Sequence, residues 1–170
     1  MEVCFNAEEL FLHVAMTEHP SMQFEEVLRA VLMRECAGSN PRISDVVYDS
    51  RNVSAGALFV AMQGGTTNGN RFIESALQQG AVALVTDSDS TWQKVRAERP
   101  EFAIALVEHG RRALAEIGAN FFSHPERSLK LSGVTGTNGK TTTTYLLESM
   151  LRSAGRTCIL VGTIEYHVGN

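Results

Sequence analysis

Residues 129–142 read Leu129-Lys130-Leu131-Ser132-Gly133-Val134-Thr135-Gly136-Thr137-Asn138-Gly139-Lys140-Thr141-Thr142. The apolar residues before Thr135 predict a buried strand over Leu129 to Val134, and those after Thr142 (Leu147, Met150, Leu151, Ala154) recur on one helical face, with Gly155 as the stop. Thr157 to Gly162 then reads as a second strand, so the last forty or so residues spell a strand–helix–strand unit with the right-handed crossover such units adopt. Between strand and helix, Gly136 and Gly139 allow the backbone to curl so that successive N–H groups face one concavity, to which the helix adds its partial positive end. That is the context of a phosphate loop suited to ATP. Residues Gly136, Thr137, Asn138, Gly139, Lys140, Thr141 and Thr142 form the expected ATP site. Lys140 reaches the β- and γ-phosphates as a point charge, the Thr141 hydroxyl is placed to ligate Mg²⁺, and Thr142 offers a further backbone donor. The loop is a variant, because the position five before Gly139 is Val134, not glycine. The competing reading is a glycine-rich turn with an exposed lysine.

Upstream, Pro125 and the preceding His124 end a helix expected over Arg111 to Phe122, with Leu114, Ile117 and Phe121 on its inner face. Short β-rich runs come before it: Ile43 to Tyr48, Ala57 to Met62, Ala81 to Thr86 and Ala103 to Val107. Helices fall between them, one carrying Phe72, Ile73, Ala76 and Leu77 and ending at Gly80, another from Thr91 to Arg99. This alternation predicts an α/β layer domain, with a boundary near 107 to 110. Further upstream, Phe24, Val27, Leu28, Val31 and Leu32 at helical spacing predict a helix from Gln23 to Cys36, and Asn6 with Glu9 marks a short one over residues 7–16. Met22 stands just before the longer helix, so residues 1–21 read as an extension or as a start placed too far upstream. A two-stranded start of a parallel sheet cannot cover its own faces, so the chain reads as cut off within a second domain.

Composition narrows the classes. The 170 residues are 44% hydrophobic and 20% charged with a net charge of −4, the profile of a folded protein of one or two domains. That balance gives no positive field for nucleic acid or anionic lipid, and no apolar run approaches the ~20 residues of a membrane span. Residues 1–9 lack the basic start of a secretory leader, which predicts a cytoplasmic protein. Cys4, Cys36 and Cys158 have neither disulfide nor zinc spacing and read as reduced, small apolar fillers.

A second constellation comprises Asp49-Ser50-Arg51, Gly56 to Ala61, and Gly64 to Phe72. Taken alone, Asp49 and Arg51 read as a surface ion pair and Asn68-Gly69 as a turn. The functional reading places Ser50 and the loop near Thr66 and Thr67 at the ends of adjacent strands, where hydroxyl and backbone donors could hold an anionic nucleotide sugar.

Taken in order, these motifs resemble the Mur ligase family of peptidoglycan synthesis over about residues 43–168. The likeness rests on Asp49-Ser50-Arg51, Leu58-Phe59-Val60-Ala61 with Gly64, the Phe72 helix, Gly80-Ala81, the Thr135 to Thr142 loop and Gly162-Thr163-Ile164. It implies an ATP- and Mg²⁺-dependent amide ligase, a monomer at full length, that adds a diamino acid to UDP-N-acetylmuramoyl-L-alanyl-D-glutamate through an acyl-phosphate. It also implies a UDP-sugar substrate domain over 1–107 and the beginning of a central ATP-binding domain over 108–170. Ser50 matches the family's UDP-substrate serine, Gly136 to Thr142 match its ATP loop, and Lys140 is the expected catalytic residue. Gly65-Thr66-Thr67 departs from the His-Gln that some relatives carry there. The family's modified lysine, later magnesium ligands and amino-acid-selecting domain would lie beyond Asn170, so this chain alone is expected to bind nucleotide weakly and to form no amide bond. The rival readings are the sister ligase that adds D-alanyl-D-alanine, disfavoured by Asn138 and Gly162-Thr163-Ile164, a non-catalytic nucleotide-binding module, and an ordinary phosphotransferase or GTPase.

Overall fold

The computed structural model describes residues 20–65, 67–162 and 166–168, the last three for their backbone alone. The helix expected over residues 7–16 lies outside them. The chain forms two compact units, one over His19–Leu129 and the other comprising the described residues from Lys130 onward.

In the first unit, β1 (Met22–Gln23) leads into the single-turn helix α1 (Phe24–Val27), followed by β2 (Met33–Ala37), β3 (Arg42–Ile43), β4 (Asp45–Val47) and β5 (Ala57–Ala61). Next come α2 (Ile73–Gln78), β6 (Ala83–Thr86), α3 (Asp89–Glu98), β7 (Ala103–Val107) and α4 (Gly110–Phe121). The main sheet has the order β2-β7-β6-β5-β4, parallel from β7 to β4 with β2 antiparallel at the edge. Ala57–Ala61 and Ala103–Val107 are buried throughout, as expected of strands covered on both faces. Alternation divides them between two cores. Leu58, Val60, Ala83, Val85, Ala105 and Val107 pack with Phe24, Ile117 and Phe121, while Phe59, Ala61, Leu84, Ile104 and Leu106 pack with Ile73, Trp92 and Val95. Helices α1 and α4 therefore cover one face of the sheet, and α2 and α3 the other.

Two expectations are corrected here. The helix predicted from Gln23 to Cys36 stops after one turn, and its second half is the edge strand β2. Phe24, Val27, Leu28 and Val31 are buried as the spacing requires, but Leu32 is 66% exposed. Ala30 adopts a left-handed φ of 61°, which ends the helical path. The Asn120 amide then donates to the Val27 and Arg29 carbonyls at 2.9 and 2.8 Å, satisfying oxygens that a longer helix would have used. Beyond the turn, Met33–Ala37 gains an antiparallel ladder with β7, Met33 opposite Val107 and, after a one-residue register shift between Met33 and Glu35, Glu35 to Ala37 opposite Leu106 to Ile104. Asn120→Ala is expected to lower the stability of this unit by about 2 kcal/mol, two hydrogen bonds' worth, measured by urea unfolding.

The boundary expected near 107 to 110 is likewise moved. It precedes α4, whose Ala113, Ile117 and Phe121 belong to the core with Phe24 and Val27, so the unit runs on to Leu129. The helix could not be assigned from its own pattern, because an apolar stripe does not say which sheet it covers.

The second unit holds α5 (Lys140–Ser153), β8 (Ile159–Val161) and β9 (Tyr166–Val168). The predicted helix and second strand form, but the strand–helix–strand unit does not. Leu129 to Val134, expected as a buried strand, make none and Leu131 is 74% exposed, while β8 pairs with β9 in antiparallel register. A strand needs a ladder on at least one side, and no described strand supplies one to this segment. Leu146, Leu147, Met150 and Leu151 of α5 are exposed, so the expected apolar face is present but uncovered among the described residues.

No helix among the described residues is long and apolar enough to cross a membrane. Cys36 lies exposed on β2 and is not the core filler expected, whereas Cys158 is partly buried and Cys4 lies outside the described residues.

Candidate functional site

The loop before α5 carries the residues predicted to meet ATP. Gly136 and Gly139 have φ of +147° and +77°, conformations that L side chains rarely adopt, and Gly139 is the N-cap of the 14-residue helix. Among the described residues, no carbonyl accepts from the backbone N–H groups of Thr137, Asn138, Gly139, Lys140, Thr141 or Thr142; the first donor of the helix that is paired is Thr143, to the Gly139 carbonyl at 2.9 Å. Six unpaired amides in succession at the positive end of a helix are the donor set an anion needs. Lys140 Nζ lies over the same loop, donating to the carbonyls of Gly136 at 2.5 Å and Thr137 at 3.4 Å, and its side chain is exposed. The ammonium is thus held on the loop, bonded to carbonyls it can exchange for phosphate oxygens.

The next two positions separate the threonines by role. Thr144 donates its hydroxyl back to the Thr141 carbonyl at 2.8 Å, a bond internal to the helix. The exposed Thr141 hydroxyl bonds no protein group among the described residues, so it is free to ligate Mg²⁺. The residues present therefore fit both a nucleotide phosphate chain and the cation that accompanies it.

The second constellation lies in the first unit, at the carboxyl end of its parallel strands. Ser50 begins a 3-10 turn, Ser50–Asn52, just after β4 and is half-buried. Its carbonyl accepts from Gln79 Nε2 at 2.9 Å, and Asp49 caps the turn by accepting from the Arg51 backbone N–H at 3.0 Å. The ion pair that the sequence suggests is present, with Arg51 Nη2 2.5 Å from Asp49 Oδ2. The hydrogen bonds from Arg51 hold the Asp49 carboxyl down to about 2 from an ordinary 3.8. A lowered carboxylate pKa contributes stability above the unfolded value, and that contribution is lost as pH falls from about 4 toward 2. In Arg51→Ala the Asp49 carboxyl is expected to titrate nearer 3.8, as read by carboxyl carbon NMR shifts against pH.

The loop after β5 stands beside that turn in strand order, since β4 and β5 are hydrogen-bonded neighbours. Gly64 N–H donates to the Thr67 carbonyl and Gly69 N–H to the Met62 carbonyl, both at 2.9 Å, closing the loop on itself. Thr66 lies outside the described residues. Phe72, expected on the inner face of its helix, is half exposed and stands just before α2, while Ile73 and Ala76 are buried as expected. Asn70 falls within the constellation the sequence singles out, but sequence reasoning missed its three polar neighbours at this end of the sheet: Gln63, Thr86 and Asp87. Their only sequence signal is Thr86-Asp87-Ser88 ending an apolar strand ahead of a helix that Ser88 caps.

Two family descriptions match the chain over these same segments: "Mur ligase family, catalytic domain" over residues 42–122 and "Mur ligase middle domain" over residues 134–169. The chain belongs to the Mur ligase family. A UDP-N-acetylmuramoyl-L-alanyl-D-glutamate–2,6-diaminopimelate ligase of Clostridium acetobutylicum is 42% identical over 79% of this chain and 27% of its own length. One from Caldanaerobacter subterraneus subsp. tengcongensis is 40% identical over 88% of this chain and 30% of its own. A UDP-N-acetylmuramyl-tripeptide synthetase of Roseiflexus is 44% identical over 76% of the chain and 25% of its own length. The chain thus spans under a third of the length of these Mur ligases. Among solved structures, a UDP-N-acetylmuramoyl-L-alanyl-D-glutamate–2,6-diaminopimelate ligase superposes with a TM-score of 0.64 over 87% of this chain and 29% of that one, at 23% identity. The MurF of Acinetobacter baumannii gives 0.55 over 79% and 28%, also at 23%. At that identity both likenesses bear on the fold, and they bear out the α/β class with its parallel sheet.

Proposed function

We propose that this chain is part of an ATP-dependent amide ligase that joins a diamino acid to UDP-N-acetylmuramoyl-L-alanyl-D-glutamate. The observation that carries the reading is the run of unpaired amides from Thr137 to Thr142, with Lys140 Nζ folded over it at the start of α5. In that reading the γ-phosphoryl group passes to the glutamate side-chain carboxylate, releasing ADP, and the incoming amine attacks the acyl-phosphate and displaces phosphate. Lys140 and the loop amides hold the phosphates in line and offset the charge that spreads over the transferring oxygens. Mg²⁺ held by Thr141 would supply further charge compensation between the phosphates. Ser50 and the loop after β5 would receive the UDP-sugar end of the acceptor. The names of several relatives favour 2,6-diaminopimelate as the amino acid.

The test supplies the complete ligase containing these residues with ATP, Mg²⁺, the UDP-linked dipeptide and labelled 2,6-diaminopimelate. The expected result is one ADP and one phosphate released per label incorporated. Incorporation of D-alanyl-D-alanine into a UDP-linked tripeptide instead would transfer the protein to the sister ligase, and no ADP release with either pair would leave a nucleotide-binding module.

A further inference from the structure

At the carboxyl end of the parallel sheet, a chain of polar groups ties the loop after β5 to the end of β6. Asp87 accepts from the Gln63 backbone N–H, at 2.9 Å to Oδ2 and 3.2 Å to Oδ1, and from Asn70 Nδ2 at 3.1 Å. The other end of that amide, Asn70 Oδ1, accepts from the Thr86 hydroxyl at 2.6 Å. Thr86 is fully buried, and its oxygen in turn accepts from the Ser88 N–H at 3.1 Å. Asn68 Oδ1 completes the chain by accepting from both nitrogens of Asn70 at 3.0 Å. Every polar atom of the Asn70 side chain is therefore used, and a network so fully satisfied, half-buried and anchored on the buried Thr86, favours one geometry.

Steric contacts hold the same loop. A Cβ on Gly69 would stand 2.8 Å from the Met62 carbonyl and one on Gly64 2.6 Å from the Thr67 carbonyl, so the loop backbone closes where only glycine fits. A Cβ on Gly110, the first residue of α4, would stand 2.4 Å from Met62 Cβ and 2.9 Å from Asp87 Oδ2. The helix thus presses on the start of the loop and on the carboxylate that anchors it. None of the Asp87, Asn70 or Thr86 side chains is needed for the sheet ladder, which the backbone alone makes, that of Thr86 included.

We propose that Asp87, with Asn70 and Thr86 behind it, is a positioning device that fixes residues 63–65 and 67–68 of the loop after β5 for the nucleotide sugar received at Ser50 and that loop. The inference rests on the ligase reading above. These are positioning residues, acting through the loop and not on the reacting atoms. An apolar core alone would leave this loop with many conformations, and a ligand would have to order it on binding.

The test uses the complete ligase containing these residues in four variants: Asp87→Ala and Thr86→Val, which cut the network, and Asp87→Asn and Thr86→Ser, which keep an acceptor or the hydroxyl. Calorimetry measures affinity for UDP-N-acetylmuramoyl-L-alanyl-D-glutamate and, separately, for ATP, at a temperature below each variant's unfolding; hydrogen exchange follows the Gln63 amide. The expected result is that Asp87→Ala and Thr86→Val weaken the sugar nucleotide about ten-fold, the weight of one hydrogen bond, and speed exchange at Gln63. ATP affinity stays unchanged, and the two conservative variants stay within about three-fold of the original protein. Unchanged sugar-nucleotide affinity in the two cutting variants, equal losses for ATP, or unchanged Gln63 exchange would overturn the inference while leaving the ligase reading in place. If the unaltered ligase binds no sugar nucleotide, it is the ligase reading of this unit that fails, and the inference with it. Should Asp87→Ala not fold, the volume-matched Thr86→Val and its Thr86→Ser counterpart decide the question.

Discussion

Lys140→Ala in the complete ligase is expected to lower kcat by about two orders of magnitude, roughly 3 kcal/mol of transition-state stabilisation, with the KM for the amino acid little changed. The basis is the position of the ammonium, which bonds the Gly136 and Thr137 carbonyls on the loop whose own amides from Thr137 to Thr142 are unpaired. The amides can bind a phosphate in its ground state, but they cannot follow charge onto the transferring oxygens as a flexible side chain can. Lys140→Arg should recover part of the binding and little of the rate, because a planar fork does not reproduce a point charge in a closed loop. Measuring ATP affinity by calorimetry beside single-turnover rates separates these contributions. A variant that lost ATP affinity and kept its single-turnover rate would place Lys140 outside the chemistry.

Phe121→Ala is expected to cost the first unit about 4 kcal/mol, the range of a large aromatic side chain removed from a closed core. Phe121 is 1% exposed, shares a core with Phe24, Val27 and Ile117, and meets the half-exposed Phe122 ring edge-on at 5.2 Å. The measurement is urea unfolding of the segment His19–Leu129 inside the chain, followed by the fluorescence of Trp92, which lies in that unit. If α4 instead belonged with the residues that follow it, as the boundary near 107 to 110 supposes, the Trp92 transition would not move. Phe122→Ala is the matched comparison and should cost far less.

The strands of the first unit were legible because each carries its own signal. Ala57–Ala61 and Ala103–Val107 are unbroken apolar runs bounded by turn residues, and only a strand covered on both faces uses such a run at that length. The loop Gly136 to Thr142 was legible for a similar reason, since glycines, lysine and threonines at fixed offsets ahead of a helix carry both the shape and the charge. The segment Gln23 to Cys36 was not. Its first four apolar residues do pack as spacing requires, but whether residues 33–37 continue a helix or join a sheet depends on β7 and on Asn120, both more than sixty residues away in sequence.

The same division runs through the candidate site. Local patterns were enough for the α/β class, for the strands and helices with strong signals, for the glycine-rich turn Gly136 to Thr142 ahead of a helix and for the family, all of which rest on residues near one another in the chain. Contacts across the fold were needed to show that α4 closes the first core, that β2 is a strand, that Leu129 to Val134 have no ladder, and that Gln63, Asn70, Thr86 and Asp87 form one network. The physical reason is that hydrogen-bond partners and core neighbours are chosen across the fold, where a side chain's environment is set by segments its own sequence neighbourhood does not contain.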